Sequence, residues 1–279
     1  MKIVVCVKQV PDTKGGVKFN PDGTLDRSAM LAIMNPDDKA GLEAALRLKD
    51  QYGAEVTVVT MGLPKAEEVL REAMAMGADN GVLVTDRVLG GADTWATSQT
   101  IAGALRNLDY DLIITGRQAI DGDTAQVGPQ VAEKLALPQV TYAEEIQGCD
   151  GKIVMIKRRL ERGIEVATCP MPCVVTVNGS AALCRPRNAR FVMKYKNAKG
   201  TQEAQDANED YFALVNERPY LKLTEWSVND IQSNPEDLGL SGSPTKVKNI
   251  ESVVFQAKEA KVLSGTDAEL DAMMKELIT

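Results

Sequence analysis

The first 137 residues alternate short apolar runs with segments whose apolar positions recur at helical spacing, and this alternation restricts the fold more than any other feature. The apolar runs lie at residues 3–7, 55–61, 81–85 and 111–115. Strands that alternate with helices at this pitch imply right-handed crossovers in a parallel sheet. We therefore predict an α/β protein with a doubly wound parallel sheet. Ligands of such sheets bind at the carboxyl ends of the strands, so the loops after these four runs are candidate site walls.

The pattern changes after about residue 137, where polar and apolar residues alternate. Segments of this kind joined by turn signals predict an antiparallel extension of the sheet, and they lie at residues 142–146, 152–160, 163–168 and 173–177. Near the start of the chain, residues 11–28 are rich in Gly, Pro and Asp and predict a small hairpin or excursion. Later in the chain we expect a strand, a linker and a closing helix, at residues 220–226, 234–245 and 267–278 respectively.

The sequence predicts a division into two parts, at residues 1–185 and 186–279. The first part carries the strand–helix alternation. The second is a long polar segment with scattered apolar residues and no core of its own. Such a tail is more typical of an arm that wraps another subunit than of a second domain. A flexible tail is the alternative.

Composition excludes several classes of function. The net charge is −7 and the sequence pI is near 4.9, whereas a nucleic-acid or membrane-surface protein needs a concentrated basic face. The basic run at residues 157–159, with Arg162, is interpreted as a solvated strand end or a partner contact. No apolar run is long enough for membrane insertion, and residues 1–10 resemble a first strand more than a signal peptide.

The five cysteines and the lack of histidine restrict the chemistry. An odd cysteine count without framework spacing predicts a reducing, cytoplasmic environment. The spacing supplies no zinc-ligand set, so we expect no metal site. Without histidine the chain lacks the Ser-His and Cys-His nucleophilic pairs, and we assign no catalytic residue. Any redox chemistry is therefore expected to belong to a bound cofactor.

A glycine-rich stretch, GRQAIDGDTAQVG, follows the fourth apolar run at residues 116–128. We expect a helix from about residue 125 to 137, with Asp123 or Thr124 as its N-cap. Gly122 and Gly128 let the backbone approach a ligand closely. The unpaired amides at a helix N-terminus form a ready phosphate site. An ordinary capped turn is an equally good interpretation of this stretch alone.

A second stretch of the same kind spans residues 86–98. Here two adjacent glycines precede a helix that Asp93 or Thr94 can cap, and Thr94, Thr97 and Ser98 offer hydroxyls on its first turn. Arg87 could pair with a phosphate or, alternatively, form a surface ion pair. Two such loops favour a dinucleotide over a mononucleotide.

Several motifs together resemble one family. The chain contains MKIVVCVKQVPD, MNPDDKAGLEAALRLK, REAMAMGADNG, GRQAIDGDTAQVGPQVA and LPQVTYA in this order. This order is similar to the β subunit of electron transfer flavoproteins, and the resemblance covers essentially the whole chain. It implies an adenine-nucleotide-binding α/β fold and a heterodimer with an α subunit that carries FAD. The arm after Arg185 would then embrace that α subunit.

The resemblance also implies site residues. The nucleotide would contact Cys6, Asn35, Met61 and the segment 119–130, and the cofactor-binding set is Cys6, Asn35, Met61, Arg87, Asp93, Thr94, Thr97, Gln118, Ala119, Asp121, Gly122, Asp123, Thr124, Ala125, Gln126, Val127 and Gly128. Residues 190–196 would take the place of the family's recognition loop, with Arg190, Phe191, Met193 and Lys194 as partner-binding residues. The family's anchoring leucine is replaced in this loop, with Ala189 and Phe191 nearby.

The stretch DRVLGGADTWATS resembles the electron-bifurcating members of the family. In those members the β subunit holds an FAD that takes hydride from NADH. Electrons then pass to a low-potential acceptor, ferredoxin or flavodoxin, and through the α-subunit FAD to an acyl-CoA dehydrogenase. The resemblance therefore predicts an NADH-oxidising, electron-bifurcating flavoprotein that is active as a heterodimer. The first alternative is a housekeeping β subunit with structural AMP. The second, from another class, is a nucleotide-binding regulatory module of the universal-stress type.

Overall fold

The computed structural model describes residues 1–12, 31–205, 209–246 and 262–278. The chain divides into two compact units, Met1–Lys246 and Val247–Thr279. Most of the excursion expected at residues 11–28 lies outside the described residues. Its flanks are β2 (Gln9–Pro11) and β3 (Ala32–Met34), which pair antiparallel as the two sides of a hairpin.

The first unit is built on one large sheet, and the predicted α/β class is confirmed. Its parallel strands are β1 (Lys2–Cys6), β4 (Glu55–Met61), β5 (Asn80–Val84), β6 (Leu112–Gly116), β10 (Cys173–Val177) and β11 (Thr224–Trp226). Strands β7 (Gln139–Cys149), β8 (Ile153–Leu160) and β9 (Gly163–Pro170) complete it. The order is β11-β5-β4-β1-β6-β10-β7-β8-β9.

The antiparallel extension is β7–β8–β9, and it differs from the prediction in one strand. β8 pairs antiparallel with both β7 and β9, as expected. However, β10 lies between β6 and β7 and pairs parallel with both, so it belongs to the central sheet. Its five residues are all buried, which fits a central strand covered on both faces.

Helices cover both faces of the sheet. The main ones are α1 (Pro36–Tyr52), α2 (Glu67–Met76), α3 (Thr94–Leu105) and α4 (Val127–Lys134). Neighbouring strand residues alternate between two cores, since Ile3 and Val5 belong to one apolar cluster and Val4 to the other. The first cluster includes the apolar residues of α1 and α2, and the second those of α3 and α4. In the described residues, no helix combines the length and apolar character needed to cross a bilayer.

The segment after Arg185 contributes to the first unit as far as Lys246. It contains α5 (Ala189–Tyr195), α6 (Thr201–Gln205), α7 (Glu209–Glu217) and the edge strand β11, which pairs with β5. Leu221 and Leu223 are buried in the first apolar cluster. The compact unit thus extends well beyond the boundary expected after Arg185, because these apolar residues cover the sheet of their own chain.

The linker expected at residues 234–245 is instead structured. It forms a single turn at Pro235–Asp237 and the short helix α8 (Gly239–Gly242), and Leu238 is fully buried. The Gly, Pro and Ser content therefore reflects tight turns and close backbone packing. The second unit contains α9 (Asp267–Ile278), the closing helix at the predicted position.

Candidate functional site

The carboxyl ends of β1, β4, β5 and β6 lie at one edge of the sheet, as the parallel pairing requires. The chain adds β4 and then β5 on one side of β1, and then places β6 on the other side. The gap between β1 and β6 is therefore the point where the strand order reverses. Ligands of open α/β sheets bind in the crevice at such a point. Cys6, at the end of β1, and the 116–128 loop, which follows β6, form its two sides.

The side chain of Asn35 holds the 116–128 loop through two hydrogen bonds. Asn35 is the N-cap residue of α1, but its side chain makes no capping hydrogen bond. Instead its Nδ2 donates to the carbonyl of Gln118 at 2.8 Å, and its Oδ1 accepts from the amide of Ile120 at 3.1 Å. The side chain is fully buried. Its amide group, with both a donor and an acceptor, thus holds two points of the loop at once.

Asp38 connects the two sides of the crevice. One carboxylate oxygen accepts from the amide of Lys8 at 2.8 Å, and the other accepts from the amide of Gly116 at 3.0 Å. Burial raises the pKa of this carboxyl to about 7, although its hydrogen bonds from Asn35, Lys8 and Gly116 act in the opposite direction. A Cβ on Gly116 would lie 2.2 Å from an Asp38 oxygen, so this approach requires glycine. The carboxyl therefore sets the spacing of β1 and β6 at the site.

The thiol of Cys6 is unreactive in this environment. Burial, with a smaller contribution from Asp38, raises the pKa of its thiol to about 12. The thiol is therefore protonated at neutral pH, and a protonated thiol is a poor nucleophile. Cys6 can line the crevice, but its surroundings do not activate it.

The 116–128 loop is held by its own side chains and is exposed at its tip. Gln118 Nε2 donates to Asp123 Oδ1 at 2.9 Å, and Lys8 forms an ion pair with Asp121 at 2.7 Å. Residues 121–124 are exposed, and so is Gln126. Asp123 and Ala125 have φ values of 50° and 53°, in the left-handed region that few non-glycine residues adopt. The loop is thus exposed at its tip and has a specific backbone conformation, in which the Gly122 and Asp123 amides donate to the carbonyl of Ala119.

The predicted start of the following helix is wrong by two residues. α4 begins at Val127, its N-cap is Gln126, and no side chain caps it. Asp123 and Thr124 cannot cap a helix that begins this late, and the positive φ of Ala125 ends the loop before the first turn. The helix also stops at Lys134, short of the predicted residue 137. The N-terminal amides of α4 are consequently left without a side-chain cap.

Gly122 and Gly128 have different surroundings. A Cβ on Gly128 would lie 2.7 Å from Thr115 Oγ1 and 2.8 Å from Thr176 Cγ2, so this glycine allows α4 to pack closely on β6 and β10. A Cβ on Gly122 would meet no atom within 4 Å. Gly128 is therefore required by packing, whereas Gly122 lies in open space at the loop tip.

The second glycine-rich stretch begins after β5, where Asp86 caps a single 3₁₀ turn at Arg87–Leu89. Asp93 is the N-cap of α3, as predicted, and its Oδ1 accepts from the amide of Ala96 at 3.0 Å. The Ser98 hydroxyl is used within the helix, since it donates to the carbonyl of Trp95. In the described part of the chain, the side chains of Arg87 and Thr97 make no hydrogen bond or ion pair.

The two glycine-rich stretches meet through their helices. The Thr94 hydroxyl, on the first residue of α3, donates to Gln126 Oε1 at 2.9 Å. Gln126 is the N-cap of α4, so the N-termini of α3 and α4 lie side by side. β5 and β6 themselves are separated by β4 and β1 in the sheet. Helix packing, not strand adjacency, thus brings the two loops together.

The other predicted site residues lie further out. Met61 is half-buried at the end of β4, on the β5 side of the crevice. In the expected recognition segment, Asn188 caps α5, and Arg190, Met193 and Lys194 are exposed. Phe191 is instead half-buried against the core. These α5 residues belong to a separate surface.

Sequence reasoning missed Asp38 and the role of Lys8. The only available signal was an acidic pair in the first turn of a helix, which usually interacts with the helix dipole. That Asp38 instead reaches two strand ends depends on how α1 packs on β6.

Comparison with known proteins gives a consistent result. The family model described as "Electron transfer flavoprotein domain" matches residues 22–209. The chain is 47% identical to the acryloyl-CoA reductase electron transfer subunit gamma of Anaerotignum propionicum, over 96% of this chain and 94% of the relative. It is 43% identical to an electron transfer flavoprotein subunit beta of Clostridium acetobutylicum, over 99% and 94% respectively. It is 46% identical to the caffeyl-CoA reductase-Etf complex subunit CarD of Acetobacterium woodii, over 88% and 86% respectively.

These matches extend over nearly the full chain, and they agree with the sheet, the extension and the order of the motifs. A universal-stress-type module is therefore set aside. The chain belongs to the electron transfer flavoprotein family, and its relatives place it among the beta subunits.

Proposed function

We propose that this chain is the β subunit of a cytoplasmic, heterodimeric electron transfer flavoprotein of the bifurcating type, and that it binds FAD at its two glycine-rich loops. The observation that carries the proposal is the contact between Thr94 and Gln126, which joins the N-termini of α3 and α4. Each helix N-terminus has unpaired amides and a partial positive charge. Two of them side by side suit two linked phosphates better than one.

The residues present fit such a group. The uncapped start of α4 offers the amides of Val127 and Gly128 as donors for one phosphate, whereas the Gly122 and Asp123 amides already donate to the carbonyl of Ala119. Arg87 and Thr97 are available for a second phosphate or a ribityl hydroxyl, because neither side chain is engaged within the described chain. When bound, a flavin supplies hydride and electron-transfer chemistry, here with NADH as the donor. The chain contributes binding, orientation and a crevice whose walls Asn35 and Asp38 keep in place.

The names of two relatives support the bifurcating type. They are an acryloyl-CoA reductase electron transfer subunit and a subunit of a caffeyl-CoA reductase-Etf complex. We propose that this chain likewise works with an acyl-CoA dehydrogenase-type partner. Electrons would reach it through the FAD of the α subunit, while ferredoxin or flavodoxin receives the low-potential electrons.

A housekeeping role with structural AMP is the second candidate, and one observation favours it. The side chains of Asp93, Thr94 and Ser98 all form hydrogen bonds with other groups of the protein. The second loop therefore offers fewer side-chain donors than its sequence suggests. The 116–128 loop alone is sufficient for a nucleoside monophosphate.

Two surfaces support binding to partners. On α9, four exposed apolar residues recur at helical spacing, and they are Leu270, Met274, Leu277 and Ile278. A stripe of this width on a surface helix normally packs against another protein surface. We propose that it binds the α subunit. On α5, Arg190, Met193 and Lys194 are exposed, and we propose that they form the docking surface for the dehydrogenase. Phe191 of the same helix is half-buried against the first apolar cluster.

The decisive experiment is the flavin and AMP content of the heterodimer after co-expression with the α subunit. Two FAD and no AMP per heterodimer support the proposal. One FAD and one AMP refute it and identify a housekeeping carrier. NADH oxidation by the same preparation, with ferredoxin and an acyl-CoA dehydrogenase present, then tests bifurcation directly.

A variant tests the assignment of the second loop. Arg87→Gln removes a charge that makes no contact within the described chain, so the fold should be unaffected. Loss of one charge-assisted hydrogen bond to a phosphate should weaken FAD binding by about tenfold or more. Arg162→Gln, an exposed arginine in the β8–β9 turn, is the matched control and should bind FAD normally. Equal FAD affinity in the two variants would remove Arg87 from the site.

A further inference from the structure

The C-terminal end of the first unit lies directly against the second glycine-rich stretch. We call residues 238–245 the strap. Leu238 anchors the strap in the second apolar cluster, where it is fully buried. The amide of Leu240 then donates to the carbonyl of Gly90 at 3.2 Å. The strap therefore makes a backbone contact with the loop itself.

Two glycines allow this close approach. Gly239 has a φ of 61°, and a Cβ there would lie 1.7 Å from the carbonyl oxygen of Val88. On the other side, Gly91 has a φ of 73°, and a Cβ there would lie 3.3 Å from Leu240 Cβ. Both conformations favour glycine, so the sequence of each segment is adapted to contact with the other.

Asp93 forms hydrogen bonds to both the strap and α3, and it lies at the end of the second glycine-rich loop. Its amide donates to the buried Ser243 hydroxyl at 2.9 Å. Its Oδ2 accepts from the amide of Thr245 at 3.0 Å and from the Thr245 hydroxyl at 2.7 Å. Its Oδ1 caps α3 through Ala96. One side chain therefore ties the start of α3 to the last residues of the first unit.

We propose that the strap sets the conformation of the second glycine-rich loop, so that pairing with the α subunit and nucleotide binding at that loop are linked through Asp93, Ser243 and Thr245. This rests on the proposed function, because residues 247–279, which follow the strap directly, carry the stripe assigned to the α subunit. Linkage is reciprocal. If pairing with the α subunit orders the strap and strengthens nucleotide binding, then bound nucleotide strengthens pairing with the α subunit by the same factor.

The test uses Ser243→Ala combined with Thr245→Val. This double variant removes the side-chain hydrogen bonds from the strap to Asp93 but leaves the α3 cap and both loop glycines intact. The control is Ser227→Ala, which removes an exposed hydroxyl that bonds only locally, to Asp230 and Asn229. Hydrogen exchange of the full-length chain is measured for the peptide that covers residues 86–96.

The double variant loses two hydrogen bonds to Asp93 and the bond that the Ser243 hydroxyl donates to the carbonyl of Gly239. Exchange in this peptide should accelerate by about tenfold, with no acceleration in the control. An unchanged exchange rate in the double variant would overturn the claim that the strap orders the loop. This measurement needs no cofactor or partner, so it is independent of whether the proposed function holds.

The linkage is measured on the heterodimer, as the dissociation constant of the α subunit with and without saturating FAD. In the wild type, FAD should tighten pairing, and the double variant should lose most of that tightening. A heterodimer whose β subunit binds no FAD refutes the proposed function and the linkage that rests on it, but not the ordering of the loop. FAD binding with pairing that is equally tight in its absence, or with tightening that survives in the double variant, refutes the linkage alone.

Discussion

Replacing Asn35 with alanine should loosen the 116–128 loop while leaving the sheet intact. The Asn35 amide group is fully buried and makes one hydrogen bond to Gln118 and one from Ile120. Both partners are backbone groups of the loop that forms one side of the crevice. Alanine removes both bonds and leaves a carbonyl and an amide unpaired.

The expected cost follows from these contacts. A protein hydrogen bond contributes about 1 kcal/mol net, and an unpaired buried partner costs about 1 to 3 kcal/mol. Gln118 and Ile120 are half-buried, so water can replace part of what is lost. We therefore expect Asn35→Ala to lower the free energy of unfolding by about 2–3 kcal/mol. For a chain of this size that corresponds to a fall in Tm of roughly 5 °C.

The Asn35→Asp variant distinguishes the contributions of the two hydrogen bonds. An aspartate can still accept from Ile120 but cannot donate to Gln118 when ionised. It would also add a buried carboxyl near Asp38, in place of a side chain that lowers the pKa of Asp38. The aspartate variant should therefore be at least as unstable as the alanine variant at pH 8, and less so at pH 5, where buried carboxyls take up protons more easily.

The assay is urea unfolding of the full-length chain, with hydrogen exchange of residues 117–126 as a local measure. Asn80→Ala is the matched control, because Asn80 is exposed at the opposite edge of the sheet and bonds to Glu55. The control should change stability by less than about 0.5 kcal/mol. If Asn35→Ala behaves like the control in both measurements, Asn35 does not hold the loop and the reasoning is refuted.

Two further predictions follow from neighbouring residues. The pKa of Asp38 is raised from its ordinary value to about 7, so the folded state binds a proton that the unfolded state has lost between about pH 4 and 7. The free energy of unfolding therefore falls as pH rises through that window, by up to about 4 kcal/mol. Asp38→Asn cannot ionise, so urea unfolding at pH 5 and pH 8 should show the variant gaining stability relative to wild type at the higher pH; an identical difference at both values would contradict this. Gly128→Ala should cost about 1–3 kcal/mol, because its Cβ would collide with Thr115 and Thr176. Gly122→Ala, with open space around its Cβ, should cost little, and equal losses of Tm in the two variants would count against the packing role of Gly128.

The periodicity of the sequence determined much of the fold. Near-continuous apolar runs such as residues 55–61 predict central parallel strands, because such strands are buried on both faces. Each of these runs forms a strand in the structure. Asp93 was found as a cap, because a cap is a local property of the residues that follow it. The closing helix Asp267–Ile278 also followed from local spacing.

Errors arose where a long-range contact overrides a local preference. Asp123 and Thr124 are good caps by type, but the loop continues to Gln126 because Asn35 and Lys8 hold it in another conformation. Residues 234–245 have the composition of a linker, yet they pack against the second loop through contacts with residues about 150 positions away. No local pattern encodes such contacts.

The sequence by itself therefore determined the strand–helix alternation, the family and the two glycine-rich stretches, because these depend on neighbouring residues. Only the tertiary structure decided how the stretches meet. β5 and β6 are not neighbours in the sheet, and it is the packing of α3 beside α4 that brings Thr94 to Gln126. The burial of Asp38 between two strand ends was likewise decided by the approach of α1 to β6. Both depend on distances between elements far apart in the chain, which periodicity and residue type do not specify.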